Sequence, residues 1–231
     1  MTSTKSTRLH RVAAALWVVG LAACGGGRPA AIAPLSAPRP VASELNEATA
    51  LRAPARIDFQ WQLNEAGSRV RGVGVARVEP PYRARLDLFL DNGETVIAAA
   101  VVDDELRLPP GAPDDVLPPI ELMWGTLGVF RPLAGAPLLG GDELDNGAER
   151  LRYGAAGGRE LHYEVAEQRL AAIELVEGSS LVEWVRLTAA GPDEFPTSAT
   201  YRNLVDFREL QIVRVEVSTV DGFDPAIWDP R

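Results

Sequence analysis

The sequence predicts an all-β antiparallel domain, a barrel or sandwich of about ten strands, with a short helix ahead of the strands and a helical lid segment between them. Three observations predict it. Apolar and polar residues alternate with period two in run after run from Arg56 onward. Turn clusters separate those runs at intervals of roughly 8 to 12 residues. The strand-helix-strand alternation that a parallel sheet requires is not visible.

The elements follow in order. Ser43 to Arg52 carries a Ser N-cap and places Leu45, Ala48 and Leu51 on one helical face before Pro54. Ile57, Phe59, Trp61 and Leu63 then alternate with Arg56, Asp58, Gln60 and Gln62, the pattern of a half-buried strand. Past the turn at Asn64 to Gly67, Ser68 to Val78 forms a second strand. Its Gly72 and Gly74 imply strong bending or a close approach of backbones. Pro80-Pro81 ends that strand, Arg85 to Leu90 resumes, and Asn92-Gly93 signals a hairpin into Thr95 to Val102. Seven prolines between Pro109 and Pro137 then frame the apolar stretch Ile120 to Phe130, which reads as one or two short helices too oily to face water. It is either a mobile lid or a plain plug in the core of the sheet. Six more strands are expected over Glu149 to Tyr153, Glu160 to Val165, Ala171 to Val176, Leu181 to Leu187, Ser198 to Asp206 and Leu210 to Val220. In the last, Val213, Val215 and Val217 take the opposite phase from Arg214 and Glu216.

Ahead of the domain, Lys5, Arg8 and Arg11 precede an uncharged run, Val12 to Ala23, that is too short to span a bilayer. The reading is an export signal over 1–23. Leu21-Ala22-Ala23-Cys24 closes it in the manner of a lipobox, so Cys24 is the expected site of lipidation and the membrane the expected partner through that lipid. Gly25 to Pro40, rich in Gly, Ala and Pro, is expected to be an extended tether, making 24–40 the lipidated linker and 41–231 a single domain. By resemblance to lipoprotein sorting signals, a glycine after the cysteine favours the outer membrane, facing the periplasm.

Composition narrows the functions. The chain has formal charge −9, and removal of 1–23 takes away three cations and no acid, leaving −12, a surface that repels nucleic acid. Cys24 is the only cysteine, Lys5 the only lysine, and His162 the only histidine outside the signal. A His/Cys metal cluster, a catalytic lysine and a disulfide are therefore unavailable, and no cofactor, metal or enzymatic role is expected. His162 between Glu160 and Glu164 reads as a solvated strand face. The acidic runs Asp103-Asp104-Glu105 and Asp114-Asp115 lack calcium-loop spacing and read as solvated turns.

The order of helix, strands, Gly72-x-Gly74-x-Ala76-Arg77-Val78-x-x-Pro81-x-Arg83-x-Arg85-Leu86, Asn92-Gly93 turn, lid-like insertion and further strands resembles the LolA/LolB-like lipoprotein-localisation family over roughly 43–220. The resemblance implies an unclosed antiparallel β-barrel covered by helices, with a hydrophobic cavity for acyl chains. A cysteine-anchored chain resembles the family's receptor branch rather than its soluble carriers. Two departures stand out: the carriers' lid-contacting arginine is Pro80 here, and the receptors' exposed apolar hairpin residue has no counterpart in Asp91 to Glu94. The expected ligand is an acyl chain, a lipoprotein or another hydrophobic molecule bound by a monomer. The expected lining is Phe59, Trp61, Leu86 and Leu88 from the sheet, with Met123, Trp124, Leu127 and Phe130 from the lid. The alternative is a structural or partner-binding envelope lipoprotein with a solid core, since period-two logic identifies a face without separating cavity from packing.

Overall fold

The computed structural model describes residues 28–112, 116–188 and 195–230, so the signal segment, Cys24 and Asp114-Asp115 lie outside the described residues. Over the described residues the chain is mainly β and antiparallel throughout: thirteen strands in one sheet that curls around two helices without closing. The strands are β1 (Ala31–Pro34), β2 (Ala55–Glu65), β3 (Ser68–Glu79), β4 (Arg83–Leu90), β5 (Thr95–Val102) and β6 (Glu105–Arg107), then β7 (Leu138–Leu144), β8 (Glu149–Gly154), β9 (Glu160–Ala166), β10 (Arg169–Glu177), β11 (Ser180–Thr188), β12 (Ser198–Asn203) and β13 (Arg208–Thr219). The helices are α1 (Pro38–Thr49) and α2 (Ile120–Thr126).

The ten strands expected from the sequence are all present, and β1, β6 and β7 are additional. Spatial order is β1-β7-β8-β9-β10-β11-β12-β13-β2-β3-β4-β5-β6. Two hairpin meanders, β2 to β6 and β7 to β13, are thus joined where β13 lies beside β2, from Arg208 opposite Glu65 to Thr219 opposite Ala55. Residues 31–34, expected within the tether, form β1 on the edge of β7. Composition hid this, because a four-residue Ala/Pro edge strand owes its order to backbone pairing with β7 and not to a buried face. Helix α1 likewise begins five residues before the Ser43 cap, with Pro38 in its first turn, where a missing N–H costs nothing.

The inner face follows the expected alternation. Ile57, Phe59, Trp61 and Leu63 are buried on β2, and the residues paired with three of them on β3 are Ala76, Gly74 and Gly72. Large side chains on one strand meet small ones on the next, so the rings of Phe59 and Trp61 lie over backbone. A Cβ on Gly74 would sit 2.3 Å from Phe59 Cε2, and one on Gly72 only 1.9 Å from the Phe89 carbonyl oxygen. The close approach read from these glycines is real.

Helix α2 packs on β10, β11 and β12, with Leu122, Met123 and Trp124 buried. Gly125 lets it settle against Ile173. Helix α1 packs on β7 and β10 through Leu45. The outer face is crossed by both ends of the described chain. Arg28 to Ala30 runs over β8 to β10, and a short 3-10 turn at Pro225–Trp228 seats Trp228 against β4 and β5.

Candidate functional site

Between the end of α1 and the start of β2 the chain runs through Ala50 to Pro54 without regular structure, and a cleft opens there. It measures about 530 Å³, within the span of roughly 300–1,000 Å³ typical of small-ligand sites. One wall is 48–55, a second is Leu127 to Val129 after α2, and the floor is Arg214 to Val217 of β13 with Phe195 and Pro196 ahead of β12. Thr49 ties the first two walls together. Its Oγ1 donates to the Leu45 carbonyl at 2.9 Å and accepts from the Phe130 backbone N–H at 3.0 Å. Gly128 holds a positive φ of 77° directly against Pro196, where an added Cβ would lie 2.8 Å from the proline ring. A smaller inner space of about 30 Å³ is bounded by Ile57, Phe59 and Leu86 and shares Leu127, Phe195, Pro196 and Arg214 with the cleft.

The eight expected lining residues are all buried in one core cluster, but they divide in position. Leu127 borders both spaces, and Phe59 and Leu86 border the inner one. Trp61, Leu88, Met123, Trp124 and Phe130 border neither. Trp124 is held from three sides, with Tyr82 edge-on at 5.8 Å, its indole N–H donating to the Asp103 carbonyl at 3.1 Å, and the sheet beneath. Phe130 sits in a cluster of T-shaped rings with Tyr153 and Tyr163. Burial holds the Tyr163 hydroxyl well above the usual phenol range.

The cleft walls contributed by 50–54, Phe195 and Arg214 were not among the expected lining residues. At Arg214 the alternation of β13 marks two phases without saying which of them faces inward. The arginine's neighbour across the seam is Phe59, an inward residue, so Arg214 faces in and Val213 faces out, 50% exposed. A bulge between Arg214 and Glu216 then leaves Val215 64% exposed. A guanidinium occupies the interior phase of this strand while two valines face solvent. The Arg214 guanidinium donates to the Phe195 carbonyl, tying the loop before β12 to the floor.

His162 departs from the solvated face expected of it. It is buried under Arg28, which donates to its Nδ1 at 3.0 Å, while its Nε2 lies 2.8 Å from Glu160 Oε2. Arginine can only donate, so Nδ1 accepts and the ring is neutral with its proton on Nε2, given to Glu160. Burial lowers the His162 pKa below its ordinary 6.5, opposed by the bond to Glu160 and reinforced by Arg150 and Arg28. Arg28 also pairs with Glu174 at 2.8 Å. Asp103 and Asp104 form the β5–β6 turn as read, but Asp104 pairs with Arg131 at 3.1 Å instead of facing water alone. Among the described residues no group of three or more His, Cys, Asp and Glu side chains is placed to hold a metal. No described helix is long and apolar enough to cross a membrane.

At the opposite end of the sheet from the cleft, the β12–β13 hairpin presents Leu204, Val205 and Phe207, the last 82% exposed. Asn203 Oδ1 accepts from the backbone N–H groups of Val205 and Asp206 at 2.9 Å and fixes this tip.

No family model matches the sequence, and no curated protein is detectably similar to it. Solved structures are similar. A putative outer membrane lipoprotein-sorting protein domain from Vibrio parahaemolyticus is 11% identical, with a TM-score of 0.57 over 82% of this chain and 94% of that one. A DUF1329 family protein from Desulfovibrio piger is 10% identical, with a TM-score of 0.54 over 86% and 98%. A LolA superfamily protein from Nitrosomonas europaea is 11% identical over 85% and 98%, with a TM-score of 0.49. At such identities the likeness is one of fold, and the fold is the open antiparallel sheet that the sequence resemblance implied.

Proposed function

We propose that this chain, sharing its fold with a lipoprotein-sorting domain, is a non-enzymatic envelope protein that binds an acyl chain, a lipoprotein or another hydrophobic ligand in the cleft beside Leu127. In this reading it is anchored by lipid on Cys24 to the outer membrane, faces the periplasm as a monomer and serves lipoprotein localisation. The observation that carries the proposal is the cleft itself, an opening onto the inner apolar face of an unclosed sheet. Binding there needs no covalent chemistry, since each methylene withdrawn from water contributes about 0.8 kcal/mol. A chain entering the cleft meets Leu127 first and then the inner space beside Phe59 and Leu86. Trp61, Leu88, Met123, Trp124 and Phe130 join the lining when α2 withdraws from β10 to β12, which is the lid movement this reading requires.

Native mass spectrometry with lipid extraction, on the full chain carrying Cys24→Ser so that no covalent acyl group is present, purified from bacterial cells without detergent, tests the proposal. Acyl lipid that co-purifies and is lost in Leu127→Trp, which fills the junction of the two spaces, supports it. A stable protein that carries no lipid and takes up none when fatty acid is added refutes it. That outcome favours a second reading, a partner-binding envelope lipoprotein with a solid core, for which the exposed Val205 and Phe207 at a rigid hairpin tip are the supporting observation.

A further inference from the structure

The described chain begins close to the residue expected to carry the lipid. Four steps of backbone separate Cys24 from Arg28, and even fully extended they reach no further than about 14 Å. Arg28 is fixed to the sheet. Its guanidinium pairs with Glu174 and donates to His162, the Pro29 carbonyl accepts from Arg150, and β1 then runs along β7. A free tether from Cys24 to Pro40 would instead reach roughly 55 Å. A lipid on Cys24 therefore brings the bilayer to the part of the molecule beside Arg28, where β1 forms one open edge of the sheet. The surface of that edge suits lipid. Residues 29–43 contain a single charge, Arg39, in a chain where 24% of residues are charged. Ile32 of β1 is 65% exposed and Leu139 of β7 48%. A groove of about 350 Å³ lies between residues 36–40 and Leu138 to Gly140, with the exposed Arg39 in its wall. Glu143, the exposed acid of β7, stands opposite Ala33 and away from that groove.

We infer that this edge, Ile32 of β1 with Leu139 and Arg39 at its end, rests on the surface of the bilayer that holds the Cys24 acyl chains. The inference rests on the lipid-anchor reading above and adds to it the face by which the anchored domain lies against the membrane. Ile32 and Leu139 enter the interfacial layer, where apolar side chains leave water. The Arg39 guanidinium meets lipid phosphates, whose oxygens match its fork of N–H donors and whose charge attracts it. Contact with lipid also hides the outer row of backbone N–H and C=O groups of β1 from other chains, for which an open edge is a template. The outer face of β2, eight places from β1 in a sheet that curls, is turned away from the lipid.

Fluorescence quenching on the lipidated full chain tests the docking edge. Cys24 is the only cysteine and is consumed by acylation in this reading, so one introduced cysteine takes one fluorophore. The chain is extracted from bacterial membranes and reconstituted into vesicles of phosphatidylethanolamine and phosphatidylglycerol that contain a lipid with a nitroxide on its headgroup. Ile32→Cys carries the label on the edge and Gln60→Cys on the outer face of β2, both at exposed positions. Quenching is expected to be about threefold or more stronger at position 32 than at position 60, since only the first lies in the headgroup layer. Arg39→Glu combined with Leu139→Glu, both exposed, should at least halve the quenching at position 32 by repelling the edge from anionic lipid. Quenching at position 60 that equals or exceeds that at position 32 overturns the docking edge and leaves the anchor standing, as does a signal at position 32 that the double substitution does not change. A mass spectrum showing Cys24 without acyl groups overturns both.

Discussion

Replacing Gly72 with alanine puts the close approach of β3 and β4 to a quantitative test. The new Cβ would stand 1.9 Å from the Phe89 carbonyl oxygen and 2.9 Å from its carbonyl carbon. Both are backbone atoms, so no rotamer change relieves the overlap, and the two strands must separate by more than an ångström. The indole N–H of Trp61 is shared at that spot between the carbonyls of Val73 and Phe89, at 3.0 and 3.2 Å. Forcing atoms into a packed interior costs about 1–3 kcal/mol. Loosening the hydrogen bond of a buried indole costs about 1–3 kcal/mol more. The expected destabilisation is therefore about 4 kcal/mol, which for a domain of this size lowers Tm by roughly 8–16 °C. Thermal melting by circular dichroism, checked by urea titration, measures it. The control is Gly67→Ala in the β2–β3 turn, where φ is +82° but nothing lies within 4 Å of the added methyl, so only the left-handed backbone is strained, at about 1–2 kcal/mol. If Gly72→Ala melts no lower than Gly67→Ala, the close-approach argument is wrong.

Three other outcomes follow from the packing and the charges. Trp124→Ala should cost about 3–5 kcal/mol in urea unfolding, because it empties a fully buried ring site and strands the Asp103 carbonyl; a variant that unfolds like the parent but loses bound lipid would make Trp124 a cavity residue instead. Acidification should weaken the fold as pH falls below 6.5, the ordinary histidine value, since the unfolded chain then protonates His162 while in the folded one the ring resists it, first because it is buried and then because Arg150 and Arg28 stand beside it. His162→Gln should remove that part of the slope between pH 7 and 5, leaving contributions such as that of Glu183, whose pKa burial raises and whose effect has the opposite sign; an unchanged slope would refute the assignment. Asp87→Asn should loosen the C-terminal segment over β4 and β5. Asp87 is buried between Arg77 and Arg85, and Arg85 in turn donates to the Ile227 carbonyl at 2.8 Å, so amide exchange should accelerate across 224–229 and the fold lose about 3 kcal/mol.

What the sequence made legible was local. The β2 alternation, the Asn92-Gly93 hairpin, the paired glycines of β3 and the buried helix at 120–126 each carry their signal within a dozen residues, and each is present in the structure. What stayed hidden depends on partners far along the chain. No strand is expected from the sequence over β7, where Gly140-Gly141 interrupts any alternation, yet Gly141 is a glycine because Leu35 and the Arg150 carbonyl occupy the place of its side chain. His162 looks solvated until Arg28, 134 residues earlier, is laid across it. Of the cleft, only Leu127 was named from the sequence among the residues that line it, with Phe59 and Leu86 behind. The remaining walls are a loop after α1, a loop before β12 and the inward arginine of β13, gathered by topology and without a common motif.

The seam between β13 and β2 also bears on how the protein comes to exist. Every other long strand finds its neighbour through a hairpin or a short connection, whereas this pairing joins residues that are 143 positions apart even at its nearest pair, Glu65 and Arg208. Loop closure on that scale is slow to be repaid, so the two meanders can form early while their junction forms late. Until β13 arrives, the whole of β2 presents bare hydrogen-bonding groups above an oily face, a template for pairing with another chain. The final strand of the described chain is therefore the one that completes the sheet. A cell making this protein must keep β2 from the wrong partner for as long as its own is still missing.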